Sequence, residues 1–295
     1  MSTVTAGEIG TEARAAISAM TRDRVAGMPV AGYVQESPMS WAALADGGWD
    51  HLGVPEAEGG AGAAVRDLAE VALAWGESLI PLPLIPSLMA KRWSPEARDH
   101  AGPVSFAVPT PSTPGRSTVP FGAEPGLVVL SRTGEGAGLL GRDALGDVEA
   151  DDYAPSLRMV TTAARTEWDA ERRGEVVVLW AAECTGAATR VLRDTVDYVR
   201  QREQFGRPVG SFQAVKHHLA DAHILVQEAE SAVIWGALEP DRAHQAGILA
   251  MDNAARVIEI GIQAHGGLGF TWEMGLHIYL RHTVALRDLS LALRS

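Results

Sequence analysis

The chain has 295 residues, 46% of them apolar, and 37 acidic against 25 basic side chains give it a net charge of −12. That length supports two or three small cores, and the acidic excess argues against a nucleic-acid partner, whose phosphate backbone is bound by cations. No run of about eighteen apolar residues offers a membrane span, the opening Met1-Ser-Thr-Val-Thr-Ala-Gly-Glu lacks the regions of an export signal, and the lone Cys184 excludes an internal disulfide and fits a reducing cytoplasm.

Residues 1–98 read as helices joined by short loops. One helix is expected from Pro38 through Asp46, with proline near its start and Gly47-Gly48 as its stop. Another spans Asp67 to Leu79, where Leu68, Val71, Ala72 and Trp75 share a face. The segment between them, Trp49 to Gly60, is dense in turn formers. Residues 99–166 change texture. Apolar runs at 104–108, 127–130 and 158–162 alternate with Pro, Gly and Ser clusters, so a small β domain is expected, short for a complete barrel. Residues 167–295 are helical again. A long helix is expected from Glu175 to Gln201, then a break at Phe205-Gly-Arg-Pro. A second runs from Ser211 to Leu238 with Val215, Leu219, Ala222 and Val226 on one face, a third from Pro240 to His265, and a short one from Trp272 to near Arg281. Such a set fits an antiparallel bundle. The fold expected is therefore mainly α, with a reduced β domain between a helical domain and a helical bundle.

Two segments mix the groups that suit a flat, phosphate-bearing cofactor. In Arg200-Gln-Arg-Glu-Gln-Phe-Gly-Arg-Pro-Val-Gly-Ser-Phe-Gln213, Arg202 stands at a helix end, where its guanidinium either pairs with phosphate oxygens or simply satisfies the helix dipole. In Gln263-Ala-His-Gly-Gly-Leu-Gly-Phe-Thr-Trp-Glu273, Gln263 lies one turn before Gly266-Gly267. Those glycines either let a cofactor approach bare backbone or form an ordinary helix C-cap. His217, His218 and His244 have no partners at metal-ligand spacing, so no metal site is expected.

Taken in order, Tyr198 to Val215 followed by Gln263 to Glu273 resembles the C-terminal helical domain of the flavin-dependent acyl-CoA dehydrogenases, and Trp41 to Gly60 resembles that family's opening helical domain. Together these parts span about two thirds of the chain. The resemblance implies FAD at a subunit interface, with Arg202 and Phe205 meeting the diphosphate held by a neighbouring subunit, Gln263 and Gly267 serving its adenosine end, and Gln213 and Gly266 as further contacts. It also implies an acyl-CoA substrate and an electron-transfer flavoprotein or similar acceptor.

Other parts of the family pattern are missing. Nothing between Gly102 and Glu167 resembles the Thr-Glu-Pro and Trp-Ile-Thr/Ser segments that hold the flavin ring in cis. The chemistry needs a carboxylate to take the α-proton of the thioester. Counting from Gly266, one family position for it falls on Ser290; the other, on the first bundle helix, falls on Val176, beside Glu175. Glu175 is therefore a weak candidate, turned by about 100° from the aligned position. Glu183 reads as a helix–helix contact, Asp288 as a surface ion-pair member and Arg281 as part of a structural salt bridge. This combination resembles the short, degenerate subunit of actinobacterial heterotetrameric acyl-CoA dehydrogenases of the steroid side-chain type. The expectation is a non-catalytic subunit pairing with a longer catalytic one, as heterodimer or α2β2. Two alternatives stay open: a homodimeric dehydrogenase with Glu175 as base, and a flavin-free assembly or regulatory protein on the same fold.

Overall fold

The computed structural model describes residues 5–26, 28–110, 113–133 and 136–293; Met1–Val4 and Arg294–Ser295, at the ends of the two expected terminal domains, lie outside them. Among the described residues, six helices come first: α1 (Glu8–Val25), α2 (Val30–Tyr33), α3 (Trp41–Ala45), α4 (Val65–Gly76), α5 (Leu84–Trp93) and α6 (Pro95–Arg98). Seven short strands follow, β1 (Val104–Phe106), β2 (Val108–Pro109), β3 (Ser117–Val119), β4 (Val128–Thr133), β5 (Gly136–Leu140), β6 (Glu149–Asp151) and β7 (Met159–Thr162). The remainder is helical: α7 (Ala170–Gln201), α8 (Gln213–Leu238), α9 (Ala243–His265) and α10 (Leu276–Ala292), with a small hairpin, β8 (Glu203–Gln204) and β9 (Arg207–Pro208), between α7 and α8. The chain is mainly α with a small sheet region, as expected.

Local chemistry moves several boundaries. Helix α3 starts not at Pro38 but after Ser40, whose hydroxyl accepts from the Ala43 amide at 3.4 Å. Helix α7 starts five residues before Glu175, because Asp169 caps it by accepting from the Arg172 amide at 2.8 Å. Helix α10 begins after Gly275, which takes a φ of 66°, and runs to Ala292, well past the short stretch expected around Trp272–Arg281. Helix α5 was not among the helices singled out in the sequence; Pro86 sits in its first turn, where the missing N–H has no intrahelical partner in any case.

The strands form two sheets, one ordered β1-β4-β5 with β1 and β4 parallel, the other an antiparallel β2-β3-β7-β6. Helix α7 is the axis of the molecule. It packs on α4 on one side and on α8, α9 and α10 on the other. The α4–α7 crossing is close in both directions: a Cβ on Gly76 would come 1.9 Å from the Glu183 carbonyl oxygen, and one on Gly186 would come 2.0 Å from that of Leu73. Larger residues there would push the helices apart. Near the start of α7, Trp93, Trp168 and Trp180 surround Phe106 in tilted and edge-to-face contacts with ring centroids 5.2 to 6.0 Å apart, filling the space between α5, β1 and α7.

Candidate functional site

Beyond Gln201 the chain turns through a two-residue hairpin loop, Phe205-Gly206, whose φ angles are 53° and 77°. Two consecutive positive φ values are the requirement of the tightest hairpin turn. Glycine meets it freely; phenylalanine holds the left-handed conformation at a cost of about 1–2 kcal/mol. The Phe205 ring is 93% exposed at the tip, edge-on to Phe212 at 6.1 Å, while the Arg207 guanidinium lies 4.0 Å over the Phe212 ring. The fold thus holds a strained residue whose ring is left open to contact from outside the chain.

Behind the hairpin, the end of α7 and the end of α9 frame an open chamber of about 480 Å³. Arg202, Gln263, Gly266 and Gly267 all line it, so four of the residues singled out in the sequence converge. A second chamber of about 490 Å³ adjoins it, sharing Val209, Gln263 and Ala264, and is walled by Val215, Leu219 and Ile260 with Arg256 and His218 also lining it. The apolar stripe read on α8 therefore divides: Ala222 and Val226 are buried, whereas Val215 and Leu219 face this cleft. Gln213 is exposed at the start of α8 and is not among the lining residues, and neither is Phe205. Tyr198, Gln204, Val209 and His265 line the first chamber without having been singled out; the usable signal was the spacing of Tyr198, one helical turn before Arg202.

The residues present fit the adenosine-diphosphate half of FAD. Arg202 has no ion-pair or side-chain hydrogen-bond partner among the described residues. Gly266 is the C-cap of α9 with φ 62°, its amide bonded to the Gln263 carbonyl. Gly267 has no positive φ, and a Cβ there would meet nothing within 4 Å. No contact among the described residues calls for glycine at 267, which leaves its backbone open to approach from outside.

The carboxylates are placed differently. Glu175 borders a cleft of about 300 Å³, but its Oε1 accepts from Arg92 Nε at 3.1 Å and its Oε2 from Trp93 Nε1 at 2.6 Å. Arg92 in turn donates to the Gly53 and Ala63 carbonyls, so this group ties α5 to α7. Val176 is fully buried, and the Ser290 hydroxyl donates to the Leu286 carbonyl within α10. Glu183 is buried against α10, its Oε1 3.3 Å from His282 Nε2, while His282 Nδ1 lies 2.9 Å from Ser156 Oγ. The Glu183–His282 contact is within ion-pair distance without hydrogen-bond alignment. This is the helix–helix contact expected of Glu183. Asp288 sits 3.8 Å from Arg287. Arg281 forms no ion pair among the described residues; its guanidinium lies 5.8 Å from the Tyr153 ring centroid, a cation–π contact in place of the expected salt bridge. No group of His, Cys, Asp or Glu among the described residues could hold a metal, and no helix among them is long and apolar enough to cross a membrane.

Residues 178–288 match the family model for the acyl-CoA dehydrogenase C-terminal domain. The chain is 30% identical over 242 residues to the acyl-CoA dehydrogenase IpdE2 of Mycolicibacterium smegmatis, covering 78% of this chain and 76% of that one. Its fold superposes with a TM-score of 0.76 on a solved steroid acyl-CoA dehydrogenase, the Tcur3481-Tcur3483 G363A variant, at 25% identity over 96% of this chain and 93% of that one. A TM-score of 0.77 relates it to the ChsE4-ChsE5 complex from Mycobacterium tuberculosis, at 23% identity over 99% and 95% of the two chains, a likeness of fold. On these similarities the chain belongs to the acyl-CoA dehydrogenase family.

Proposed function

We propose that this chain is the non-catalytic subunit of a heteromeric FAD-dependent acyl-CoA dehydrogenase, and that its bundle completes an FAD site held mainly by a longer catalytic partner. The observation that carries the reading is a mismatch. The chamber at Arg202, Gln263 and Gly267 is open and Arg202 is unpaired among the described residues, while both Glu175 oxygens accept hydrogen bonds inside the chain and Glu183 is buried beside His282. FAD, when bound, supplies the oxidant for α,β-dehydrogenation of an acyl-CoA thioester. The residues here would contribute a cation for the diphosphate, a bare stretch of backbone, and an exposed ring at Phe205. Residues 167–295 form this contributing part; residues 1–98 and 99–166 are its helical and reduced β domains. With both halves of a site present at only one of two interfaces, each heterodimer binds one FAD.

The acyl group is a steroid-derived thioester on this reading, supported by the likeness to a solved steroid acyl-CoA dehydrogenase. Electrons then pass to an electron-transfer flavoprotein or similar acceptor in the cytoplasm. The test is co-production with a longer homologue from the same genome, followed by a flavin spectrum. Colourless protein alone and one FAD per heterodimer in the complex are expected. Yellow protein from this chain alone, bleached by an acyl-CoA, would replace the reading with a homodimeric enzyme using Glu175. Colourless protein in every combination would leave a flavin-free assembly role.

A further inference from the structure

The floor of the Arg202 chamber is made by two residues with no role so far. Tyr198 and Arg202 are one helical turn apart at the end of α7, and both line the chamber. The Tyr198 ring is stacked on that of His265, the last residue of α9, with centroids 4.1 Å apart and planes 19° from parallel. His265 is itself fixed. Its Nδ1 lies 2.8 Å from the Gly261 carbonyl oxygen, which can only accept, so Nδ1 carries a proton and the imidazole is held in one orientation. The stack passes that orientation to the phenol. The Tyr198 hydroxyl, meanwhile, has no hydrogen-bond partner among the described residues. A half-buried phenol anchored at its ring and unpartnered at its oxygen, beside an unpaired guanidinium, is an arranged pair of donors.

We infer that Tyr198 is a further ligand-binding residue of this chamber, donating its hydroxyl to an oxygen of the diphosphate or its adjacent ribose, and that His265 is a positioning residue acting through it. The inference rests on the proposed reading of the chamber as a nucleotide cradle. The ligand class follows from the two chambers together. Donors at Tyr198 and Arg202 suit phosphate oxygens, and the apolar walls at Val215, Leu219 and Ile260 next door suit a flat base. Adenosine diphosphate carries both features and no flavin, so it probes this half of the site without turnover.

The experiment is a titration of the full chain with adenosine diphosphate at up to millimolar concentration, followed by NMR or calorimetry. Tyr198→Phe keeps the ring and the stack and removes only the hydroxyl. It is expected to raise the Kd about tenfold, the effect of losing one hydrogen bond to a charged group, with an unchanged Tm. His265→Ala is expected to raise the Kd several-fold in the wild-type background and not at all in the Tyr198→Phe background, the non-additivity of residues acting through one contact. Should His265→Ala unfold, His265→Phe restores a stackable ring and is expected to bind within about twofold of wild type. If Tyr198→Phe binds as tightly as wild type while Arg202→Ala weakens binding, the inference fails and the cradle stands. Additive effects of the two variants overturn the positioning role of His265. If neither the wild-type chain nor its complex with a flavin-stripped partner binds adenosine diphosphate, the cradle reading fails first.

Discussion

Replacing Glu183 by alanine is the most demanding test of how the bundle is held to the rest of the chain. The carboxylate is 3% exposed and 3.3 Å from His282 Nε2, and the same imidazole reaches Ser156 at 2.9 Å, so three parts of the molecule meet at one ring. Removing one partner of a buried ion pair costs about 3–5 kcal/mol when the other charge is stranded. For a buried imidazole nitrogen left without its neighbour the cost is about 1–3 kcal/mol. A small void is added to this. The expected loss for Glu183→Ala is thus about 2–4 kcal/mol, whereas Glu183→Gln, which keeps the volume and an acceptor, is expected to lose about 1 kcal/mol. Urea denaturation followed by circular dichroism reads both, as a lower midpoint at unchanged m. A loss below about 0.5 kcal/mol for the alanine variant, the range of an ordinary surface substitution, refutes the coupling of Glu183 to His282.

Gly267→Ala is expected to leave stability within about 0.5 kcal/mol, since its Cβ meets nothing in the chain, and yet to lower the flavin content of the purified heteromer; normal flavin content would remove Gly267 from the site. Glu175→Gln is expected to leave kcat of the complex within about twofold, and a drop of about 10²-fold, typical of a lost general base, would transfer the catalytic role to it. Phe205→Gly relieves the left-handed strain and is expected to raise chain stability by about 1 kcal/mol while weakening association with the partner, measured by sedimentation. His100 has its pKa lowered by burial and by the nearby Lys91 cation, partly offset by a backbone hydrogen bond to Gly126. A lowered histidine pKa contributes stability above the unfolded-state value that is lost as pH falls through the imidazole range. His100→Gln should therefore flatten the fall in urea midpoint between about pH 7 and pH 5, and an unchanged slope would refute the assignment.

The long elements were legible because periodicity is a property of the chain alone. Leu68, Val71, Ala72 and Trp75 are buried as their spacing predicts. The same spacing hid that Ala69, Leu73 and Ala74 are buried too, because α4 is covered by α1 on one side and α7 on the other. The strands at 104–106, 128–133 and 159–162 showed as apolar runs, whereas β5 and β6 did not. β6, Glu149-Ala-Asp, is an edge strand whose outward residues carry no apolar signal. Local motifs placed the ends of α7 and α9, and the chamber between them joins residues some sixty positions apart. The His265–Tyr198 stack and the Glu183–His282–Ser156 contact had no such local signal; each depends on helices meeting in space.

Of the two glycines in Gly266-Gly267, one has a structural reason and the other has none among the described residues. Gly266 is a helix cap and would be glycine in a protein with no ligand at all. Gly267 satisfies no demand of the fold. Arg202 differs in the same way from Arg92, Arg158 and Arg190: each of those is tied to a carboxylate, and Arg202 has no such partner among the described residues. Phe205 goes further, since its backbone is strained and its ring unburied, which lowers the stability of the isolated chain. Glycines 76 and 186 show the contrast, because the α4–α7 crossing forbids anything larger there. Arg202 and Gly267, which contacts among the described residues do not explain, line the same cleft, and Phe205 stands on the hairpin between α7 and α8. On the proposed reading, a ligand held on another subunit would account for all three.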